Sequence, residues 1–182
     1  MRIRPATIDD AHAIATLHVH SWQVGYHGIV PDDVLDALDP AARAADLRQR
    51  LSHRPEHDVV LVAETEKGVV GFVNAGPFRP NQARDSPYDL TQGEIRALYV
   101  SPAAWGTGAG YALTTAALRE LSAQGRQPVR LWVLSANERA RRFYERVGFV
   151  LDGEASVFRI ERGGDPPVDL DEVRYVFDGR LG

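Results

Sequence analysis

Apolar positions along the chain switch between a spacing of two and a spacing of three to four, and each switch marks the edge of a short element. Residues 2–4 read as an opening strand. Thr7, with Asp10 three positions on, starts a helix in the manner of a capping box, and the helix runs to about Trp22 with Ala11, Ile14 and Leu17 on its core face. Gly25–Val30 breaks that pattern. Pro31 then suits the first turn of a second helix through Leu38, because proline lacks the N–H that a first turn leaves unbonded, and Asp32 and Asp33 favour the positive end of the helix dipole. A third helical piece covers about 40–51.

Val59–Ala63 and Val69–Val73 are apolar runs separated by Glu64–Gly68, the pattern of a hairpin. Gly76–Gly93 carries three prolines and mixed charges without a period, so it is expected to be a surface loop, long enough to ask for a functional reason. A strand Glu94–Val100 follows, then a break at Pro102, then a helix from about Gly108 to Ala123 with Leu113, Ala116, Ala117 and Leu121 inward. Val129–Leu134 is apolar except for Arg130 and reads as a strand buried on both faces. Ser135 and Glu138 have capping-box spacing for a helix that places Ala140, Phe143, Tyr144 and Val147 on one side, and Gly148 closes it in the left-handed conformation. Strands at about 149–160 and 171–177 flank the turn-rich residues 163–167. The order is β, three helical segments, β, β, β, α, β, α, β, β, with no internal repeat. It predicts one α/β or α+β domain across residues 1–182.

Composition narrows the possibilities. A chain of 182 residues that is 44% hydrophobic buries one core. The net charge of −4 offers no polybasic patch, so neither nucleic acid nor a membrane is expected as a partner. Absence of cysteine excludes disulfides, thiolate metal sites and an acyl-cysteine intermediate. No apolar run approaches the roughly 18 residues of a membrane helix and no signal segment opens the chain, so a soluble, cytoplasmic protein is expected. The six histidines show no compact ligand spacing, and no metal is expected.

The chemistry concentrates in Trp105-Gly106-Thr107-Gly108-Ala109-Gly110, where a strand has ended and a helix begins. Unbonded amides and the positive dipole end make such a place an anion site, and glycines at alternate positions allow close backbone approach. A Walker A loop would need a following Lys and Ser or Thr, and G-x-G-x-x-G would need glycine at Tyr111, so both motifs are ruled out. The strand before the turn contains Leu98, Val100 and Pro102, and the segment after it contains Asn137, Ala140, Phe143, Tyr144, Gly148 and Phe149. With Gly108 and Gly110, these residues resemble in type and order the signature of the Gcn5-related N-acetyltransferase superfamily: L-x-V-x-P, Q/R-x-x-G-x-G/A, an Asn, then A-x-x-F-Y-x-x-x-G-F. The match is specific over 94–150. One position departs, since Trp105 stands where the family turn opens with Gln or Arg.

What the resemblance implies is a mixed, mostly antiparallel sheet with one splayed parallel strand pair and flanking helices. It also implies acetyl-CoA as cosubstrate and direct attack of a primary amine on the thioester in a ternary complex. Main-chain groups of Leu98, Tyr99 and Val100 would hold the pantetheine and polarise the thioester. Trp105, Gly106, Thr107, Gly108, Ala109 and Gly110 would hold the pyrophosphate, chiefly through the backbone because Trp105 cannot donate as an arginine does. Asn137 would contact the pantetheine amides. Glu94 is the candidate general base and Tyr144 the candidate acid beside the sulfur. Trp22, Tyr26, His27 and Tyr88, with Phe78 and Arg79, lie in segments placed to wall an acceptor pocket. A homodimer is a further implication. Two other readings stay open: acetylation of a protein N-terminus or lysine, and a noncatalytic acyl-CoA-binding sensor.

Overall fold

The computed structural model describes residues 1–80 and 87–179. Seven strands, β1 (Arg2–Pro5), β2 (Val59–Thr65), β3 (Gly68–Phe78), β4 (Asp89–Val100), β5 (Val129–Leu134), β6 (Val150–Arg162) and β7 (Asp165–Phe177), form one sheet in the order β1-β2-β3-β4-β5-β7-β6. Every pairing is antiparallel except β4 with β5. The helices are α1 (Ala11–Gly25), α2 (Asp32–Asp36), α3 (Pro40–Ser52), α4 (Ala109–Ala123) and α5 (Glu138–Val147). No described helix is long and apolar enough to cross a membrane.

The two faces of the sheet carry separate cores. On one, Leu113, Ala117 and Leu121 of α4 are fully buried against Val73, Ile95, Val129 and Leu131, with Tyr144 and Val147 of α5 alongside. Burying each leucine contributes about 1.5–3 kcal/mol. Leu118 is buried too, whereas Ala116 is only partly covered. On the other face Ile14 and Leu17 of α1 pack on Val60, Val62 and Phe72, and Leu47 and Leu51 of α3 close the layer. Alternate residues of β2 and β3 thus serve opposite cores, which explains their near-continuous apolar runs.

At the start of α1 the Thr7 amide and hydroxyl both donate to the Asp10 carboxylate, at 2.8 and 3.1 Å, and Arg4 braces that carboxylate from the first strand at 2.7 Å. The start of α5 departs from expectation: the cap is Asn137, whose side-chain oxygen accepts from the Ala140 amide at 3.1 Å, and not Ser135. Gly148 ends α5 with φ of 107°.

Most of the described residues of Gly76–Gly93 are sheet. β3 extends to Phe78 and β4 begins at Asp89, with Gly76 opposite Glu94 and Phe78 opposite Asp89. Main-chain pairing carries these residues despite their mixed side chains, and the centre of the expected loop, 81–86, lies outside the described residues. The last hairpin also differs, since Asp165, Pro166 and Pro167 belong to β7. β5 pairs with β7 only from Glu172 to Phe177, so both prolines lie where that edge needs no donor.

Candidate active site

The site begins with a bulge. Asn74 pairs with Ala97 and Ala75 with Ile95, which leaves Arg96 as the extra residue of β4. A bulge bends its strand and increases twist. The parallel pairing of β4 with β5 ends at the same place: Gly93, Glu94 and Ile95 pair with Val129, Arg130 and Leu131, and nothing beyond Ile95 does. β5 meanwhile continues along β7 to Leu134. A gap therefore opens between the C-terminal ends of two neighbouring parallel strands. Ser101 donates to the Val70 carbonyl at 2.8 Å, so the alternation of the ladder turns the main-chain groups of Tyr99 toward β3 and those of Leu98 and Val100 toward the gap. The Val100 carbonyl is taken there by the Trp105 indole N–H at 2.8 Å and the Ser21 hydroxyl at 3.3 Å.

At the end of β4 the chain passes through Pro102–Ala104 into the glycine turn. Gly106 and Gly108 have φ of 76° and 89°, a left-handed backbone that other residues adopt only with strain, and Gly108 is the N-cap of α4. The first amides of α4 consequently point out of the helix end beside the gap. The cleft, about 700 Å3 in volume, is lined here by Trp105, Gly106, Gly108, Ala109 and Gly110. Thr107 is not among its lining residues; its hydroxyl donates to the Ala104 carbonyl at 2.7 Å and steadies the turn. Trp105 has an unforeseen role, because the Arg139 guanidinium lies 3.1 Å from its ring centroid. A cation from α5 thus stands beside the turn.

Tyr144 is buried and lines the cleft from α5, its ring edged against Phe143 and Phe149. Burial pushes its phenol well above the ordinary value, so it stays protonated and able to donate. Asn137 lines the cleft as well; its oxygen is committed to the helix cap, and any contact with a ligand falls to its NH2 group. Glu94 is placed differently. Only 2% exposed, it accepts from the Arg79 amide and Nε at 3.0 Å each and from Nη2 at 2.6 Å, and it is not among the residues lining the cleft.

Of the residues expected at the acceptor pocket, Trp22 and Tyr26 line the cleft and meet edge to face, with centroids 4.9 Å apart. Tyr26 and Tyr99 hydroxyls lie 3.4 Å apart. His27 is turned outward, exposed, to Asp32 at 3.3 Å. Tyr88 lies on the surface beneath the Arg96 guanidinium, Phe78 is buried under Arg130 and Arg174, and Arg79 is occupied by Glu94. The structure brings none of these four to the cleft wall. It adds His18, Trp132, Phe158 and Glu172. Burial, helped by the Arg43 charge, pushes the His18 imidazole down to about 3, so it is neutral. A signal for the β7 contribution existed: Val173, Tyr175 and Phe177 alternate toward the core, which assigns Glu172 to the opposite face. Among the described residues no cluster of three His, Asp or Glu side chains is arranged to hold a metal.

A splayed parallel pair, a left-handed glycine turn at a helix start and a buried tyrosine beside the gap come together in one cleft. The chain belongs to the acetyltransferase (GNAT) family, whose model matches residues 14–149, and acetyl-CoA-dependent acetyl transfer is the activity that membership carries. It is 34% identical over 136 residues to the uncharacterized N-acetyltransferase YuaI of Bacillus subtilis, covering 74% of this chain and 72% of that protein. It is 44% identical over 133 residues to a mycothiol acetyltransferase of Streptomyces scabiei, which covers 68% of this chain but only 43% of that longer relative. Among solved structures, the PaiA N-acetyltransferase of Thermoplasma acidophilum in complex with coenzyme A superposes with a TM-score of 0.69 at 18% identity, covering 94% of this chain and 96% of that one. These similarities agree with the mixed sheet and its single parallel pair.

Proposed function

We propose that acetyl-CoA lies with its pantetheine between β4 and β5 and its pyrophosphate on the amides of Gly106–Gly110, and that a primary amine entering from the α1 side attacks the thioester directly. The observation that carries this reading is the gap beyond Ile95, which opens beside the left-handed turn into α4. Amides of Leu98 and Val100 would bond the pantetheine and polarise the thioester carbonyl, and Arg139 would add the positive charge that Trp105 lacks. Catalysis is mostly the positioning of two substrates. Tyr144 would donate to the departing sulfur, a modest task because a thiol has a pKa of about 8.5. Glu94 anchors Arg79 in this reading; whether it also moves a proton is decided by Glu94→Gln, for which unchanged turnover across the pH range dismisses a base.

The acceptor is a small-molecule or peptide amine. A cytoplasmic location and a homodimer remain part of the proposal, and sedimentation of the purified protein checks the second. Calorimetry with coenzyme A, followed by thiol release from acetyl-CoA over a panel of amines, amino acids, antibiotics and peptides, tests the whole. Saturable heat with turnover supports it, saturable heat without turnover on any acceptor favours the sensor, and no saturation at millimolar coenzyme overturns both.

A further inference from the structure

The Val100 carbonyl, turned toward the gap, is taken twice. It accepts from the Trp105 indole N–H at 2.8 Å and from the Ser21 hydroxyl at 3.3 Å. The amide and carbonyl of one strand residue point the same way, so the Val100 N–H stands beside that carbonyl on the edge that β4 leaves unpaired with β5 beyond Ile95. An unpaired strand edge takes up an extended chain of amides through main-chain hydrogen bonds. A pantetheine arm is such a chain. It would bring an amide N–H to the Val100 carbonyl, and there it meets Trp105.

The two donors are held differently. Ser21 is buried on α1. Trp105 is 36% exposed and lies between the turn Pro102–Ala104 and Gly106, with an extended backbone at φ −65° and ψ 142°. A side chain in such a place changes rotamer without disturbing a helix or a strand. A second cavity of about 390 Å3 adjoins the indole, bordered by Trp105, Arg139, Val24 of α1 and Ile29 beyond it. Val24 is 44% exposed, so an indole laid over it removes apolar surface from water. Arg139 borders both the cleft and this second cavity, and it therefore meets the ring in either place while remaining beside the turn.

Resting on the transferase reading above, we propose that Trp105 is a displaceable stop that sets how tightly the coenzyme is held: its indole N–H occupies the Val100 carbonyl and yields it to a pantetheine amide as the ring swings toward Val24 and Ile29. No covalent bond changes. One neutral hydrogen bond is exchanged for another, and the Ser21 hydroxyl keeps the carbonyl satisfied during the exchange. The competition lowers affinity for the pantetheine arm by about fivefold, the worth of one such bond. Adenosine 3′,5′-bisphosphate has no amide arm and escapes it.

The test is calorimetry on the intact protein with coenzyme A, pantetheine and adenosine 3′,5′-bisphosphate, in the native chain and in Trp105→Phe. Phenylalanine leaves a ring beneath Arg139 and removes the N–H. The variant is expected to bind coenzyme A and pantetheine about fivefold more tightly and the bisphosphate with unchanged affinity. Unchanged or weaker pantetheine binding overturns the proposal, and so does an equal gain for the bisphosphate. A second measurement keeps Trp105 in place and decides the matter even where Trp105→Phe does not fold. The chain has three tryptophans, so Trp22→Phe with Trp132→Phe leaves Trp105 as the single indole. Its N–H resonance is expected to shift and to exchange faster with water at saturating pantetheine, and a resonance that stays unchanged overturns the proposal as well. A native protein that fails to bind coenzyme A sinks the transferase reading itself, whereas one that binds it with no gain in Trp105→Phe sinks only this inference.

Discussion

On the side of the cleft where we propose the coenzyme lies, the groups on offer are main-chain amides: Leu98 and Val100 at the strand edge, then Gly106 to Gly110 leading into α4. On the side proposed for the acceptor they are side chains, Trp22, Tyr26, Phe158 and Glu172, drawn from α1 and its C-terminal cap, β6 and β7. Backbone geometry is set by a few glycines and one bulge and tolerates wide variation around them. A pocket of side chains changes with each substitution. The contrast separates a wall shaped by backbone conformation from one shaped by side chains. It also sorts the variants that test it.

The largest effect is expected away from both walls. Glu94→Gln leaves the mostly buried Arg79 guanidinium without its counterion, and breaking a buried pair costs about 3 kcal/mol or more. Arg79 keeps about a fifth of its side chain in water, which places the loss at the low end of that range. Urea unfolding measures it. A loss under 0.5 kcal/mol would show that the clamp contributes little to the fold.

Tyr144→Phe comes next. The ring packs against Phe143 and Phe149 with or without its hydroxyl, so stability should hold while kcat falls about a hundredfold, the range of a missing general acid. The KM for acetyl-CoA should move little. Full activity would return Tyr144 to the core and leave the coenzyme wall purely main-chain.

The acceptor wall carries a pH signature in His18. Its imidazole titrates near 6.5 when unfolded and at about 3 in the fold, so between those values the unfolded chain binds the extra proton. Stability therefore rises with pH across that window and is lost as pH falls from about 6.5 toward 3. At about 1.4 kcal/mol per unit, some 2 kcal/mol should disappear between neutrality and pH 5. Asp10 acts in the same direction over a lower range: hydrogen-bonded first of all to Arg4, it sits at about 2, so its stabilisation is lost as pH falls from about 3.8 toward 2. Urea midpoints at pH 7 and pH 5 should differ by less in His18→Phe than in the native chain. Equal differences would mean that His18 reaches water and that the α1 wall is looser than described.

This asymmetry also governs what the sequence discloses. Short-range rules suffice for the coenzyme wall: Gly106, Gly108 and Gly110 announce a turn, Pro102 a strand end, and Phe143 with Tyr144 the inward side of α5. The acceptor wall needs register. The alternation of Val173, Tyr175 and Phe177 marks the face of Glu172, but only its pairing opposite Leu134 brings it to the cleft. Glu94 shows the converse, for a strand through it is legible although it starts five residues earlier, at Asp89, while the Arg79 clamp depends on how β3 ends. Residues 76–93 resemble a loop because side-chain patterning cannot report main-chain pairing across a register shift. The Asn137 cap was hidden by Ser135, two positions earlier and with better spacing to Glu138.

The smallest effect tests whether the turn is chosen for its conformation or for the space it leaves. A methyl group at Gly108 meets nothing within 4 Å, yet φ is 89°; at Gly110 the methyl would lie 3.4 Å from Phe143 with an ordinary φ. A left-handed alanine costs about 1–2 kcal/mol, so Gly108→Ala should weaken coenzyme A binding about tenfold by calorimetry, with little change for Gly110→Ala. Asparagine adopts the left-handed conformation more readily, and Gly108→Asn should recover part of the loss. If asparagine is worse than alanine, conformation is not the limiting factor. The requirement is then close approach of the diphosphate to the bare backbone, and the larger side chain at the mouth of α4 stands in its way.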